Sequence, residues 1–251
     1  MKPLFPRNLT VPSTWQIILG ACYLPVYLVG LSYVLPLIFR HFGIDSSTDH
    51  GFYLLQLTYF TINTVFTLLV FHRFLFDSLA VLKERRLSWL FLTVAIAYGI
   101  SAVGTNIIAA VYTLLQITPE NVNQDIIETL LVQHPLPMLL FIALLGPVSE
   151  ELLFRGVLFG PICRRCPWLA YSVTTLLFAG IHVIASIGTL QPFELLLCFL
   201  QYVPISLALC WAYQNTRSIW GSICLHCMLN GVSAVTILCM HYLEEFAEAF
   251  V

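Results

Sequence analysis

Charge is what this sequence has least of. Asp, Glu, Lys and Arg make up 10% of its 251 residues, against about 25% in a soluble domain. Hydrophobic residues make up 59%, and the mean hydropathy is +0.88. A charge deficit spread over long apolar runs excludes an ordinary water-soluble fold and makes lipid the solvent. Several marks of hydrolytic enzymes are also missing: there is no HExxH zinc helix and no Gly-x-Ser-x-Gly nucleophile elbow. No aspartate falls within an apolar run; Asp77 comes nearest, at a helix end. No internal repeat or low-complexity tract divides the chain, so a single transmembrane domain over 1–251 is expected. The first apolar run follows Lys2 and Arg7, exceeds a signal-peptide core in length and lacks a small-residue cleavage site, so it reads as a retained anchor. A net charge of −2 argues neither for nor against a nucleic-acid partner; the apolar runs decide the class, and no such partner is expected. Six of the eight cysteines lie inside apolar runs, where cysteine behaves as a small buried hydrophobe. Cys163 and Cys166 form a lone CxxC in a short polar loop, which without a second pair is a poor metal or redox signal.

Runs of about 20 apolar residues suffice to cross a bilayer. Such runs cover roughly 14–39, 52–76, 88–116, 136–162, 168–190, 192–214 and 218–243. They define an all-α polytopic transmembrane bundle of about seven spans. The third run is long enough to be tilted or broken near Gly99 and Gly104, which would add an eighth element. Short polar stretches at 40–51 and 77–87 separate the early spans, and 117–135 is the longest non-membrane piece. With a cytoplasmic N-terminus, only Arg40 of the eleven Lys and Arg falls outside, the bias that the positive-inside rule predicts. An odd number of spans then places the C-terminus outside.

Three of the runs carry polar residues that a membrane helix bears only at a cost, about 2.5–3.5 kcal/mol for an ionised group at its centre. The fourth holds Glu150-Glu151-Leu152-Leu153-Phe154-Arg155, the fifth Phe178-Ala179-Gly180-Ile181-His182, and the seventh His226-Cys227-Met228-Leu229-Asn230. At about 1.5 Å rise per residue, Glu150 and His182 each lie ~21 Å from the inner ends of their helices, and His226 and Asn230 ~14 and ~20 Å. Helices of alternating direction thus bring these groups to one level near the midplane. Glu151 and Arg155, four apart, share a face and can pair. Glu150 points about 100° away and is free for another role, and a carboxylate in a low-dielectric cleft is a candidate general base. Taken singly, the glutamates could be buried glue or part of a proton path, His182 a packed histidine, and His226 with Asn230 an interhelical bond. Their convergence at one depth favours a functional site. Asn63, Asn106, Gln56 and Gln201 have no partners at helical spacing and read as glue. His41, His50, His72, His134 and His241 read as interfacial.

The ordered set Glu-Glu-x-x-x-Arg, Phe-x-x-x-His and His-x-x-x-Asn, each inside its own apolar run, resembles the CPBP family of CAAX prenyl endopeptidases and bacteriocin-processing or Abi-type proteins. The resemblance covers about 136–243. It implies an intramembrane endopeptidase in which Glu150 activates water, His182 helps to hold and deprotonate it, and His226 and Asn230 donate to the developing oxyanion. Glu151 and Arg155 would brace the helix and tune Glu150, and Phe178 would pack against the site. No cofactor is favoured, although Glu150, His182 and His226 could together form a zinc site with an open position. The implied substrate is a membrane-associated peptide or lipidated protein: a prenylated CAAX tail, or a bacterial leader, pheromone or bacteriocin-type peptide. The short chain tilts the balance towards the bacterial plasma membrane. Two other classes use the same fold features: a non-proteolytic immunity or scaffold protein, against which the intact motif set argues, and a proton-coupled transporter, for which paired broken helices in two repeated halves are missing. The sequence bears no mark of an oligomeric state.

Overall fold

The computed structural model describes residues 9–84, 87–117 and 121–249, and among these the regular structure is entirely helical. Lys2, Arg7, Arg85, Arg86 and Glu120 lie outside the described residues. Among the described residues there are eight helices: α1 (Thr14–His41), α2 (Asp49–Glu84), α3 (Leu87–Leu115), α4 (Val122–Gln133), α5 (Pro135–Cys163), α6 (Pro167–Ser186), α7 (Pro192–Thr216) and α8 (Ile219–Glu248). All but α4 are long and apolar enough to cross a bilayer, giving seven spans that follow the expected runs within a few residues. Large apolar side chains such as Leu69, Phe91, Leu114 and Leu176 point outward, as lipid allows. Phe71, Phe74, Phe154, Phe159 and Tyr213 fill the interior instead. The chain is an integral, multi-pass membrane protein.

Four details depart from the reading of the sequence. The stretch 77–87 is mostly helix, because α2 continues through Asp77 to Glu84 and α3 resumes at Leu87. With 36 residues, α2 is about 54 Å long and outruns a hydrocarbon core of about 30 Å. No break occurs near Gly99 or Gly104. Gly104 instead lets Pro204 of α7 press against α3, where a Cβ would lie 2.4 Å from the proline ring. The segment 117–135 holds α4, whose N-cap Asn121 accepts hydrogen bonds from the Asn123 and Gln124 N–H groups. Cys163 is the buried last residue of α5 rather than part of a loop, while Cys166 is exposed.

The helical ladder is interrupted in α1 and α5. Phe141–Leu145 and Leu152–Phe159 of α5 are wound as π-helix, and each gives way to a Gly-Pro step, Gly146-Pro147 and Gly160-Pro161. Proline has no N–H to give to the residue four back, so the preceding turn must rearrange its bonds. In α1 the turn Val26–Gly30, directly after Pro25, is wound the same way. Such turns insert an extra residue and re-aim side chains, and they are frequent at functional sites.

One end of the bundle is closed. There the Arg164 guanidinium donates to the Leu9 carbonyl at 3.1 and 2.5 Å, Thr10 N–H donates to the Arg217 carbonyl, and the Tyr213 hydroxyl donates to the Thr10 carbonyl. Gly160 makes room for this strap, since a Cβ at that position would lie 2.9 Å from Val11. The opposite end is roofed by α4.

Candidate active site

α5, α6 and α8 bring Glu150, His182 and His226 to one point. Glu150 Oε2 lies 4.0 Å from His182 Nε2 and 3.9 Å from His226 Nε2. Glu151, one residue on, turns away from this point and is fully buried. Its Oε1 accepts from Arg155 Nη1 at 3.0 Å and from His226 Nδ1 at 2.8 Å. Arg155 Nη2 also donates to the Ser206 hydroxyl at 3.1 Å and the Ser206 carbonyl at 3.3 Å. The guanidinium carbon lies 4.3 Å from the Phe178 ring centre, a buried cation–π contact. Phe178 is central, its ring centre 4.5 Å from that of His182 with the planes tilted by 44°, 5.8 Å from His226 and 5.4 Å from Phe154.

Hydrogen bonds assign the histidine nitrogens. His182 Nδ1 sits 2.7 Å from the Phe178 carbonyl, which can only accept, so Nδ1 carries a proton, and in the neutral ring the Nε2 turned towards Glu150 is an acceptor. His226 Nδ1 faces a carboxylate and likewise donates. Its Nε2 can donate only when the ring holds both protons. Asn230, one turn along α8, donates through Nδ2 to the Ile142 carbonyl at 3.1 Å, within the first rearranged turn of α5.

Glu150, His182 and Asn230 line a cavity of about 330 Å³, a size typical of ligand sites. Tyr27 of α1, Tyr59 of α2 and Ile127 of α4 line it too. On α5 the wall residues are Ile142, Gly146, Pro147 and Glu150, all on the α4 side of Glu150 or at its level. On the other side of Glu150, α5 runs into the fully buried Leu152, Leu153 and Phe154. The cavity is therefore closed towards Arg164 and Arg165.

As they stand, these separations are wider than the ~3.3 Å that a tetrahedral zinc ion sets between its donors. With metal–ligand bonds of about 2.0–2.1 Å, donors 3.9–4.0 Å apart would subtend ~135–180° at the metal, against ~109° in a tetrahedron. Among the described residues no three His, Cys, Asp or Glu side chains converge to hold a metal ion. A water molecule suits the gap: two hydrogen bonds of about 2.8 Å meeting near 90° span ~4.0 Å. Glu150 Oε2 is buried and has no hydrogen-bond partner among the described residues, as a water-binding oxygen would be.

The sequence reading left α1 and α2 as generic spans, and there it was incomplete. Gln56, read as glue, lines the cavity. Asn63 does have partners at helical spacing: it lies four residues after Tyr59, whose carbonyl accepts from its amide, and it accepts from Tyr23 at 2.7 Å. The pattern Tyr23-x-x-x-Tyr27 against Tyr59-x-x-x-Asn63 was the available signal. Tyr202, whose tilted ring lies 4.4 Å from that of His182, and Ser206 had none.

Fold and site together define a polytopic helical membrane protein with a carboxylate–histidine cluster in the wall of an intramembrane cavity. Residues 132–232, which contain all three motifs, match the family described as type II CAAX prenyl endopeptidase Rce1-like. The resemblance drawn from those motifs is thus borne out over that segment. "UPF0177 protein YbdJ" of Lactococcus lactis is 36% identical over 86 residues, covering 34% of this chain and 33% of that protein. "Putative membrane peptidase YdiL" of Bacillus subtilis is 29% identical over 138 residues, covering 53% of this chain and 51% of that protein. The chain thus spans between a third and about half of the length of these curated relatives. No solved structure matches it.

Proposed function

We propose that the chain is an intramembrane endopeptidase in which Glu150 draws a proton from a water molecule that attacks a peptide carbonyl. The observation that carries this reading is the pair of histidine Nε2 atoms facing one Glu150 oxygen at 4.0 and 3.9 Å in a cavity wall. The water donates one hydrogen bond to His182 Nε2 and the other to Glu150 Oε2, so its lone pair is left for the carbonyl carbon. As the C–O bond forms, Glu150 takes the proton and negative charge collects on the former carbonyl oxygen. Asn230, whose amide is oriented by the Ile142 carbonyl, donates to that oxygen, and His226 Nε2 joins it when the ring carries both protons; such preorganised donors are commonly worth a few kcal/mol each. Glu150 then returns its proton to the amine as the C–N bond breaks. Every proton is accounted for without a metal.

Cleavage by the purified, lipid-reconstituted protein is therefore expected to survive prolonged exposure to a strong chelator, as measured on a quenched fluorescent peptide selected from a random library. Loss of activity on chelation, restored by added zinc, would overturn the metal-free mechanism.

The closed arginine end also bears on the substrate. Basic residues favour placing Arg164 and Arg165 in the cytoplasm, and the cavity extends the other way, towards α4. This supports a leader, pheromone or bacteriocin-type peptide presented from the outer side, over a prenylated tail presented from the cytoplasm. Cys166, exposed in the α5–α6 turn, tests the orientation. With the other seven cysteines replaced, it is expected to react with an impermeant thiol reagent only after cells are permeabilised. Labelling in intact cells would reverse both the topology and the side of access.

A further inference from the structure

We propose that Tyr27 of α1 is a positioning residue for this reaction, its hydroxyl holding the Glu150 carboxyl so that Oε2 faces the two histidines. This rests on the proposed role of Glu150. The need arises from a contrast between neighbours. Glu151 is clamped by Arg155 and His226, both within 3.0 Å. Glu150 has no ion pair that close, and its side chain is 19% exposed at the cavity wall. A glutamate with free side-chain torsions spreads over several rotamers, and a general base loses rate when its oxygen wanders from the attacking water.

The structure places a phenol where it can prevent this. Tyr27 is 6% exposed, lines the same cavity as Glu150 and interacts through its side chain with Glu150 and Tyr59. Its ring meets Phe154 of α5 edge-on, with centroids 6.3 Å apart. The backbone explains its inward aim. After Pro25 the helix widens, and the Leu31 N–H bonds to the Val26 carbonyl instead of the Tyr27 carbonyl one turn back. The Tyr27 carbonyl accepts instead from the Tyr59 hydroxyl at 3.0 Å. One turn earlier, Tyr23 donates to Asn63 at 2.7 Å. Two interhelical bonds thus lock the widened turn to α2, and the turn directs Tyr27 at α5. The other titratable groups facing Glu150 are His182 of α6, His226 of α8, Tyr59 of α2 and Tyr202 of α7. Tyr59 spends its hydroxyl proton on the Tyr27 carbonyl, and Tyr202 is held away by accepting from the Asn121 amide at 3.1 Å, whereas the Tyr27 side chain meets Glu150 directly.

Tyr27→Phe removes only the hydroxyl and keeps the ring against Phe154. In the lipid-reconstituted peptide assay, kcat is expected to fall about tenfold with KM unchanged within about twofold. The melting temperature is expected to stay that of the parent. Infrared spectroscopy supplies a readout independent of turnover. The carboxyl band that disappears in Glu150→Gln is expected to move to higher frequency in Tyr27→Phe, as a carboxyl band does on losing a hydrogen bond. An unmoved Glu150 band, or parental kcat, would overturn the role of Tyr27. A Glu150→Gln protein that still cleaves would overturn the proposed function instead, so the two failures are distinguishable.

Discussion

Glu150→Gln is expected to reduce peptide cleavage by about 10²–10⁴-fold, the usual contribution of a general base, with little change in the amount or melting temperature of folded protein. Glutamine has the same shape but cannot take a proton from water. The substitution strands little, because Glu150 Oε2 makes no hydrogen bond to protein among the described residues, its nearest cationic candidates stand 3.9 and 4.0 Å off, and a glutamine carbonyl can still accept from the Tyr27 hydroxyl. The Glu151–Arg155 pair and the π-wound turns of α5 do not depend on it. Turnover per folded molecule, measured beside a thermal melt, checks both halves of the expectation. Retained cleavage would remove Glu150 from the chemistry, and a collapsed melt would make it a structural residue.

The adjacent glutamate should behave in the opposite way. Glu151→Gln leaves the fully buried Arg155 facing a neutral amide, and an unpaired buried charge typically costs about 3–5 kcal/mol. Ser206 and the Phe178 ring still touch the guanidinium but carry no compensating charge. His226 also loses the carboxylate that orients its Nδ1. A large fall in melting temperature and yield is therefore expected, together with whatever activity loss follows from a misaligned His226. The double change Glu151→Gln with Arg155→Met removes the stranded charge and should recover part of the stability, since apolar replacement of buried ion pairs is often neutral. A single variant as stable as the parent would refute this bracing role.

The contrast between these two residues was already visible in the chain. Four-residue spacing puts Glu151 and Arg155 on one helix face, and one further residue of rotation separates Glu150 from both. Depth arithmetic brought Glu150, His182 and His226 to one level because helices in lipid have a fixed rise and cross a layer of fixed thickness. The first two spans were opaque for an equally physical reason. Tyrosine carries little insertion penalty, so Tyr27, Tyr59 and Tyr202 do not stand out in an apolar run as a glutamate does. Helix lengths also escaped: the polar residues at 77–84 continue α2 without a break, since nothing in that stretch stops a helix.

The class of fold was set by the sequence alone. In a bilayer every backbone N–H and C=O must find its partner within the segment, so a run of some 20 apolar residues has one outcome, a spanning helix. The identity of the ionisable groups was set there too, because their cost in lipid makes each one conspicuous. Which way those groups point was decided only by the tertiary structure. Pro25 and Pro147 break the regular ladder, and where the widened turns place Tyr27 and Glu150 depends on hydrogen bonds from other helices, such as Tyr59 to the Tyr27 carbonyl and Asn230 to the Ile142 carbonyl. Those bonds join residues 32 and 88 positions apart, and no local periodicity encodes them.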